Sequence, residues 1–315
     1  MKYIEEFKED ERIIEHYLCK QKNSLKSRAG KTYLSLKLQD KTGVIDAKIW
    51  EITGDIQDFE ENDYVKIDGV VVTYQNDLQL KVMKLRKSQE GEYDTANYVP
   101  QTDKDIESLY STLAGYIDSI DNRYIKALLE SVFYNDPAIS ANIKIHSAAR
   151  QMHHSYLGGL LEHTVNVAQI CEFLSGKYEF VKRDMLIAGA LLHDVGKIFE
   201  LSAFPVNDYT DDGQLLGHIV MGSELIGRHT ANIENFPHEL ESLLKHMILA
   251  HHGIYEYGSP ELPKTLEAYL LHCADDMDAK IKMFEDIVIK DNTPAMWMGY
   301  QRMFERNIRK SDYNE

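Results

Sequence analysis

YLSLKLQDKTGVIDAKIW, residues 33–50, alternates apolar and polar positions on either side of a short polar break. Leu34, Leu36 and Leu38 fall on one side, and Tyr33, Ser35 and Lys37 on the other, which is the two-residue period of a half-buried strand. Asp40-Lys41-Thr42-Gly43 is the turn, with a glycine expected where positive φ is needed, and VIDAKIW (44–50) is the returning strand. Two further strands are expected at YVKIDGVVVTY (64–74) and LQLKVMKL (78–85), joined across Gln75-Asn76-Asp77, with an earlier one around Ile13 to Lys20. Ile52 to Glu60 reads as a short helix or loop between the third and fourth strands.

Five short strands with one helix-sized interruption after the third form the pattern of an OB-fold barrel, which an SH3-like barrel shares in part. The first loop, KQKNSLKSRAGKTY (20–33), lies where OB-folds hold single-stranded nucleic acid. It brings together Lys22, Lys26, Arg28, Lys31 and Tyr33. The chain as a whole carries a formal charge of -16, which repels phosphate, yet residues 11–48 hold nine Lys and Arg against four acids. A solvated charged face is the ordinary explanation of such a run. Tyr33, Trp50 and Tyr74 are candidate stacking platforms, each with core or rim packing as its alternative.

With 43% hydrophobic and 27% charged residues over 315 positions, the composition is that of a globular chain long enough for two cores. The N-terminal stretch lacks an apolar signal-peptide core, and the longest apolar run, Met185 to Leu192, is too short to span a bilayer. Cys19, Cys171 and Cys273 are dispersed without CxxC spacing, so neither a disulfide framework nor a zinc ribbon is expected. A cytoplasmic protein with no membrane partner is the expectation. KSQEGEYDTANYVPQTDK (87–104) has little apolar periodicity, giving a barrel over 1–88, a linker over 89–104 and a second domain over 105–315. Beyond the linker the period becomes helical, as in GGLLEHTVNVAQICEFL (158–174) and ELESLLKHMILAHH (239–252). The expected fold is therefore multidomain, an N-terminal all-β OB-fold barrel followed by an all-α domain.

Within that helical region AGALLHDVGKI (188–198) sets an ionisable pair, His193 and Asp194, directly after an apolar run. Buried helices seldom admit such a pair unless something binds it. His163, His218, the pair His251-His252 and Asp275 lie in four more helical segments near apolar stripes. Imidazole and carboxylate together suit Mn, Fe, Co, Ni or Zn better than the all-oxygen sites of Ca or Mg. Seven candidates exceed the four or so that one ion needs, and Asp194, with two oxygens, is the natural bridge between two. His16, His146, His229, His238, His246 and His272 are read as ordinary surface or capping residues. His153 and His154, ahead of Tyr156, have substrate orientation only as an alternative role.

The order His163, His193-Asp194, Asp275 resembles the HD superfamily of metal-dependent phosphohydrolases, and His218 with His251-His252 are similar to the extra ligands of its two-metal members. Joined to a barrel, and with the phrases DKTGVIDAKIW, GGLLEHT, LLHDVGK and HHG…GSPELP, nearly the whole chain resembles the YhaM family of 3′→5′ exoribonucleases. The resemblance implies a divalent-metal enzyme, typically using manganese, that acts on single-stranded RNA and often on single-stranded DNA. It implies that His163, His193, Asp194 and Asp275 bind one cation, and that Asp194 is shared with a second held by His218, His251 and His252. Lys197, one turn from His193, then contacts the scissile phosphate, with a helix C-terminal lysine as the alternative. Asp276 and Asp278 compete with Asp275, which the family's Ala-Asp pattern prefers. The rival functions are an HD-type cyclic-dinucleotide or nucleotide phosphohydrolase and a non-catalytic OB-fold nucleic-acid-binding protein. A homo-oligomer stays open.

Overall fold

The computed structural model describes residues 1–27, 30–75, 77–150, 154–291 and 295–311, with the side chain of Lys290 excepted. The chain divides into two compact units, one of Met1–Asp103 with Ser202–Asp208, the other of Lys104–Leu201 with Tyr209–Glu315.

The first unit is a closed five-stranded barrel of β1 (Arg12–Lys26), β2 (Thr32–Asp40), β3 (Gly43–Ile49), β4 (Tyr64–Tyr74) and β5 (Asp77–Lys87), in the order β1-β2-β3-β5-β4. All neighbours are antiparallel except β3 and β5, and β4 closes on β1. The alternation in 33–50 sets the register. Leu34, Leu36 and Leu38 stand opposite Ile49, Ala47 and Ile45, and all six side chains are buried. Each such aliphatic side chain contributes about 1.5–3 kcal/mol relative to leaving it exposed.

Two details depart from the expectations, and a third decides between the helix and the loop expected over 52–60. The turn after β2 is shaped by Asp40, whose Oδ1 accepts from the Thr42 and Gly43 amides at 2.8 and 3.1 Å and whose Oδ2 accepts from the Ile4 amide at 2.7 Å. Gly43 is not among the residues of positive φ, because a buried carboxylate does what a left-handed glycine was expected to do. The basic loop is shorter than read, since β1 runs on to Lys26 and pairs with β2 as a long hairpin arm. Residues 52–60 form an extended loop, pinned by a bridge from Ile56 to Leu85 and by buried Phe59.

The stretch read as a linker carries packed aromatics. Tyr93 stacks on Tyr64 with ring centroids 4.1 Å apart, and Tyr98 and Val99 are buried. Tyrosines used singly leave no period to read.

The second unit contains α1 (Ile106–Asp118), α2 (Arg123–Phe133), α3 (Pro137–Asn142), α4 (Gly159–Lys177), α5 (Arg183–Leu192), α6 (Lys197–Glu200), α7 (Asp211–Thr230), α8 (His238–Ala250) and α9 (Leu266–Lys290). Side-chain oxygens of Asp105, Asn122, Asp136, Thr210 and Thr265 cap α1, α2, α3, α7 and α9, satisfying first-turn amides. Leu186 to Leu192 of α5 are buried on every side, so this helix is the axis of the core, with Leu160, Leu161, Met247, Ile248 and Leu271 in the same apolar cluster. A hairpin of β6 (Trp297–Gln301) and β7 (Arg306–Arg309) follows α9, a two-stranded element too short for alternation to announce. Among the described residues no helix is long and apolar enough to cross a membrane.

Candidate metal centre

The centre is built at the end of the most buried helix. His193 caps α5, its amide bonded to Gly189 O at 2.9 Å and its Nδ1 directed at Ala190 O at 2.8 Å. An Nδ1–H given to a carbonyl leaves Nε2 as a lone pair pointing the other way. His251 caps α8 in the same manner, with Nδ1 2.7 Å from Ile248 O, and the next residue, His252, sets Nδ1 2.8 Å from Tyr257 O. His163 lies in α4, with Nδ1 2.7 Å from Asp278 Oδ2 of α9. His218 follows Gly217, whose φ of 75° and ψ of 156° break α7, so that the His218 amide is turned to Glu200 Oε1 at 3.0 Å while Nδ1 meets the same oxygen at 2.9 Å. Few residues but glycine adopt that backbone.

Asp194 stands between two sets of nitrogens. Its Oδ2 is 3.4 Å from His163 Nε2 and 3.3 Å from His193 Nε2; its Oδ1 is 3.5 Å from His218 Nε2 and 3.7 Å from His251 Nε2. Asp275 Oδ1 lies 3.1 Å from His163 Nε2 and 3.9 Å from His193 Nε2. His163, His193 and Asp275 therefore form one group with ligand atoms within 4.8 Å of one another, and His218, His251 and His252 form another.

A cation fits this arrangement on three counts. Asp194 Oδ1, His218 Nε2 and His251 Nε2 are buried and make no hydrogen bond among the described residues, each a cost of about 1–3 kcal/mol unless something binds there. His163 Nε2 and His193 Nε2 face each other across 3.2 Å, an approach of lone pairs that positive charge resolves. The surroundings ask for that charge: burial works against it, but hydrogen bonds with Asp194, Asp275 and Asp278 hold the His163 imidazole well above its ordinary pKa. Burial and neighbouring His252 and His193 push His251 well below its own, leaving it neutral and ready to ligate. Although burial opposes ionisation, the charge of Lys197 and the hydrogen bond with His163 keep Asp194 well below the usual carboxylate range.

The remaining expected residues take other places. Lys197 Nζ is 2.6 Å from Asp194 Oδ2 and lines the groove that opens onto the centre. Asp276 pairs with Lys280 at 2.7 Å and stays on the rim, whereas Asp278 lies behind His163 rather than in the ligand group. His154, for which substrate orientation was the alternative role, is buried with Nε2 3.0 Å from Asp278 Oδ2; His153 lies outside the described residues. Glu200 was missed, and its only sequence signal is an acid three residues after Lys197 on the same short helix. The groove encloses about 700 Å³ and is lined by Arg150, Tyr209, His252, Tyr257, Lys280 and Met283 among others.

On the barrel, Tyr33 and Trp50 stack on each other with centroids 4.7 Å apart, and Trp50 and Tyr74 are exposed. Lys26 and Lys31 are exposed, but Lys22 is drawn inward, donating to Phe59 O, lying over the Phe59 ring and facing Asp58 and Glu60. Arg28 lies outside the described residues.

A closed five-stranded barrel followed by a helical domain that gathers histidines and aspartates in one buried place defines the class, and family comparison agrees. Residues 20–87 match the OB-fold nucleic acid binding domain and residues 160–280 the HD domain. The 3'-5' exoribonuclease YhaM of Geobacillus sp. (strain WCH70) is 33% identical over 267 residues, covering 81% of this chain and 78% of that protein, and the chain belongs to the YhaM family. Among solved structures, the second OB-fold domain of replication protein A from Methanococcus maripaludis is 19% identical, covers 29% of this chain and 96% of its own, and superposes with a TM-score of 0.24.

Proposed function

We propose that this chain is a 3′→5′ exoribonuclease that hydrolyses single-stranded RNA with two divalent cations, His163, His193 and Asp275 holding one, His218, His251 and His252 the other, and Asp194 serving both. The observation that carries this reading is the division of Asp194, one oxygen toward each set of imidazoles. Bound there, such cations supply Lewis acidity, which acidifies water and offsets the charge that builds at phosphorus. The nitrogen-rich donor set favours manganese or iron, cobalt, nickel or zinc over calcium and magnesium, and manganese is the ion we propose.

The chain's own groups do the rest. Backbone carbonyls and carboxylates meet each Nδ1, so every Nε2 is turned toward the cation sites before substrate arrives. Lys197 lines the groove beside Asp194, which supports a contact from its ammonium to a phosphate oxygen. Arg150 and Lys280 on the groove wall add positive charge for the strand, and Tyr209 and Tyr257 offer rings to a terminal base. Cations held at the centre would add to these side chains the charge that a polyanion needs to approach a chain of net charge -16. The Tyr33–Trp50 stack, with Lys26 and Lys31, gives the barrel a surface on which unpaired bases stack without regard to sequence.

The test uses purified full-length protein with Mn²⁺ and 5′-labelled single-stranded RNA, single-stranded DNA, a cyclic dinucleotide and a deoxynucleotide as separate substrates. A ladder shortening from the 3′ end of RNA is expected. Hydrolysis of the cyclic dinucleotide or deoxynucleotide with RNA untouched refutes the proposal, and the DNA lane decides whether the strand's sugar matters.

A further inference from the structure

Three of the imidazoles, those of His193, His251 and His252, are oriented by backbone carbonyls at or just beyond helix ends. Those of His163 and His218 are oriented by carboxylates instead. Inside α4 the carbonyls near His163 are engaged by helix amides, and at the break in α7 the nearby acceptor is Glu200. The two carboxylates fall one to each half of the centre, since His163 groups with His193 and Asp275, and His218 with His251 and His252.

We infer that Asp278 and Glu200 are a matched pair of positioning residues, one behind each cation site, each fixing the tautomer and raising the basicity of one ligating imidazole; this rests on the two-cation reading above. Both carboxylates are buried, and Asp278 is also held from behind. Asp278 Oδ1 accepts from Asn166 Nδ2 at 3.0 Å, and its Oδ2 is shared between His163 Nδ1 at 2.7 Å and His154 Nε2 at 3.0 Å. Glu200 Oε1 takes both the amide and Nδ1 of His218. Asp278 itself does not join the ligands of the first cation, because it sits on the Nδ1 edge of His163 while Asp194 and Asp275 face Nε2. His154, His163 and Asp278 do lie close enough to hold an ion of their own, and that is the competing role the experiment separates. A carboxylate behind a ligating imidazole is worth about 10–100-fold in metal affinity.

Asp278→Asn and Glu200→Gln remove one charge each with little change of shape. Mn²⁺ binding to full-length protein, measured by equilibrium dialysis with elemental analysis and by the electron paramagnetic resonance of free ion, reads the result. Asp275→Ala and His252→Ala mark which binding step belongs to which half. Two equivalents are expected in the wild type; Asp278→Asn weakens the step that Asp275→Ala abolishes by about 10–100-fold and spares the other, and Glu200→Gln does the converse. The metal-free variants are expected to melt near the wild type. If Asp278→Asn does not fold, Asn166→Ala, which removes the donor to Asp278 Oδ1 together with an exposed contact to Lys104, carries the test, with weakening of the same step expected. Two equivalents in the wild type with affinities unaltered in the variants overturn the pairing alone. Three equivalents, one of them lost in Asp278→Asn, make Asp278 a ligand and overturn it likewise. A single equivalent in the wild type overturns the two-cation reading, and the pairing with it.

Discussion

Replacing Gly196 by alanine probes how closely the centre depends on the packing of its smallest helix. A Cβ at this position would lie 2.1 Å from His218 O and 2.9 Å from the Gly222 amide nitrogen. Real Cβ contacts essentially never fall below 3.0 Å, so α6 and α7 must part by about 0.9 Å, and both opposing atoms are main chain. Overpacking of this kind costs about 1–3 kcal/mol. For a domain of this size each kcal/mol lowers the melting temperature by about 2–4 °C, so a fall of about 2–12 °C is expected. The effect on function should be larger than on stability. Glu200 rides on α6 and His218 on α7, and a displacement of about 1 Å in a positioned group costs on the order of 10²-fold in rate. Melting curves of the metal-free protein and initial rates of RNA shortening at saturating Mn²⁺ give both quantities. A Gly196→Ala protein with wild-type melting temperature and rate would refute the reasoning, because it would mean the two helices part without disturbing the Glu200–His218 contact.

Asp194→Ala is expected to abolish cleavage while binding of single-stranded RNA and the far-ultraviolet spectrum persist; residual cleavage at the wild-type rate counts against its shared role. Removal of metal by a chelator should stop the reaction and lower the melting temperature, since a ligand at about 100 times its Kd stabilises by about 2.7 kcal/mol, and calorimetry with and without chelator measures this. Trp50→Ala should weaken binding of long single-stranded RNA by about 1–3 kcal/mol, read by fluorescence anisotropy, with cleavage of a small phosphodiester unchanged. His16, hydrogen-bonded to Ser88 at 2.8 Å, has its pKa lowered chiefly by burial, with Lys66 adding to the effect. The folded form then binds fewer protons than the unfolded chain, so stability falls as pH drops through the unfolded value of about 6.5 and below. Urea melts at pH 8 and pH 5.5 should show a smaller difference for His16→Gln than for the wild type.

The barrel was legible because β2, β3 and β4 each bury one face, and burial of one face writes a two-residue period into the chain; Leu34, Leu36 and Leu38 are the plainest case. The candidate metal residues stood out for a different reason: His193-Asp194 and His251-His252 are conspicuous beside Leu and Ile, where an unligated pair would be costly. The groups that orient them did not. Glu200 and Asp278 meet their histidines through space, 18 and 115 residues away, and a charged residue on a helix gives no local sign of which nitrogen it faces. Nothing beside Gly217 in the sequence marks the backbone that turns the His218 amide out of the helix. Lys22 shows the converse failure, for a basic run read as one surface contains a lysine spent on Phe59, Asp58 and Glu60.

His193 and His251 are both C-terminal caps, so α5 and α8 end with their carbonyls toward the centre. Each helix terminus carries roughly half a negative charge from its aligned peptide dipoles. Two of them converging in a buried place add to the pull on cations a component that belongs to the direction of the chain rather than to any side chain. That component survives every ligand substitution and is little screened by salt, so variants lacking one imidazole should retain a measurable preference for divalent ions over monovalent ones.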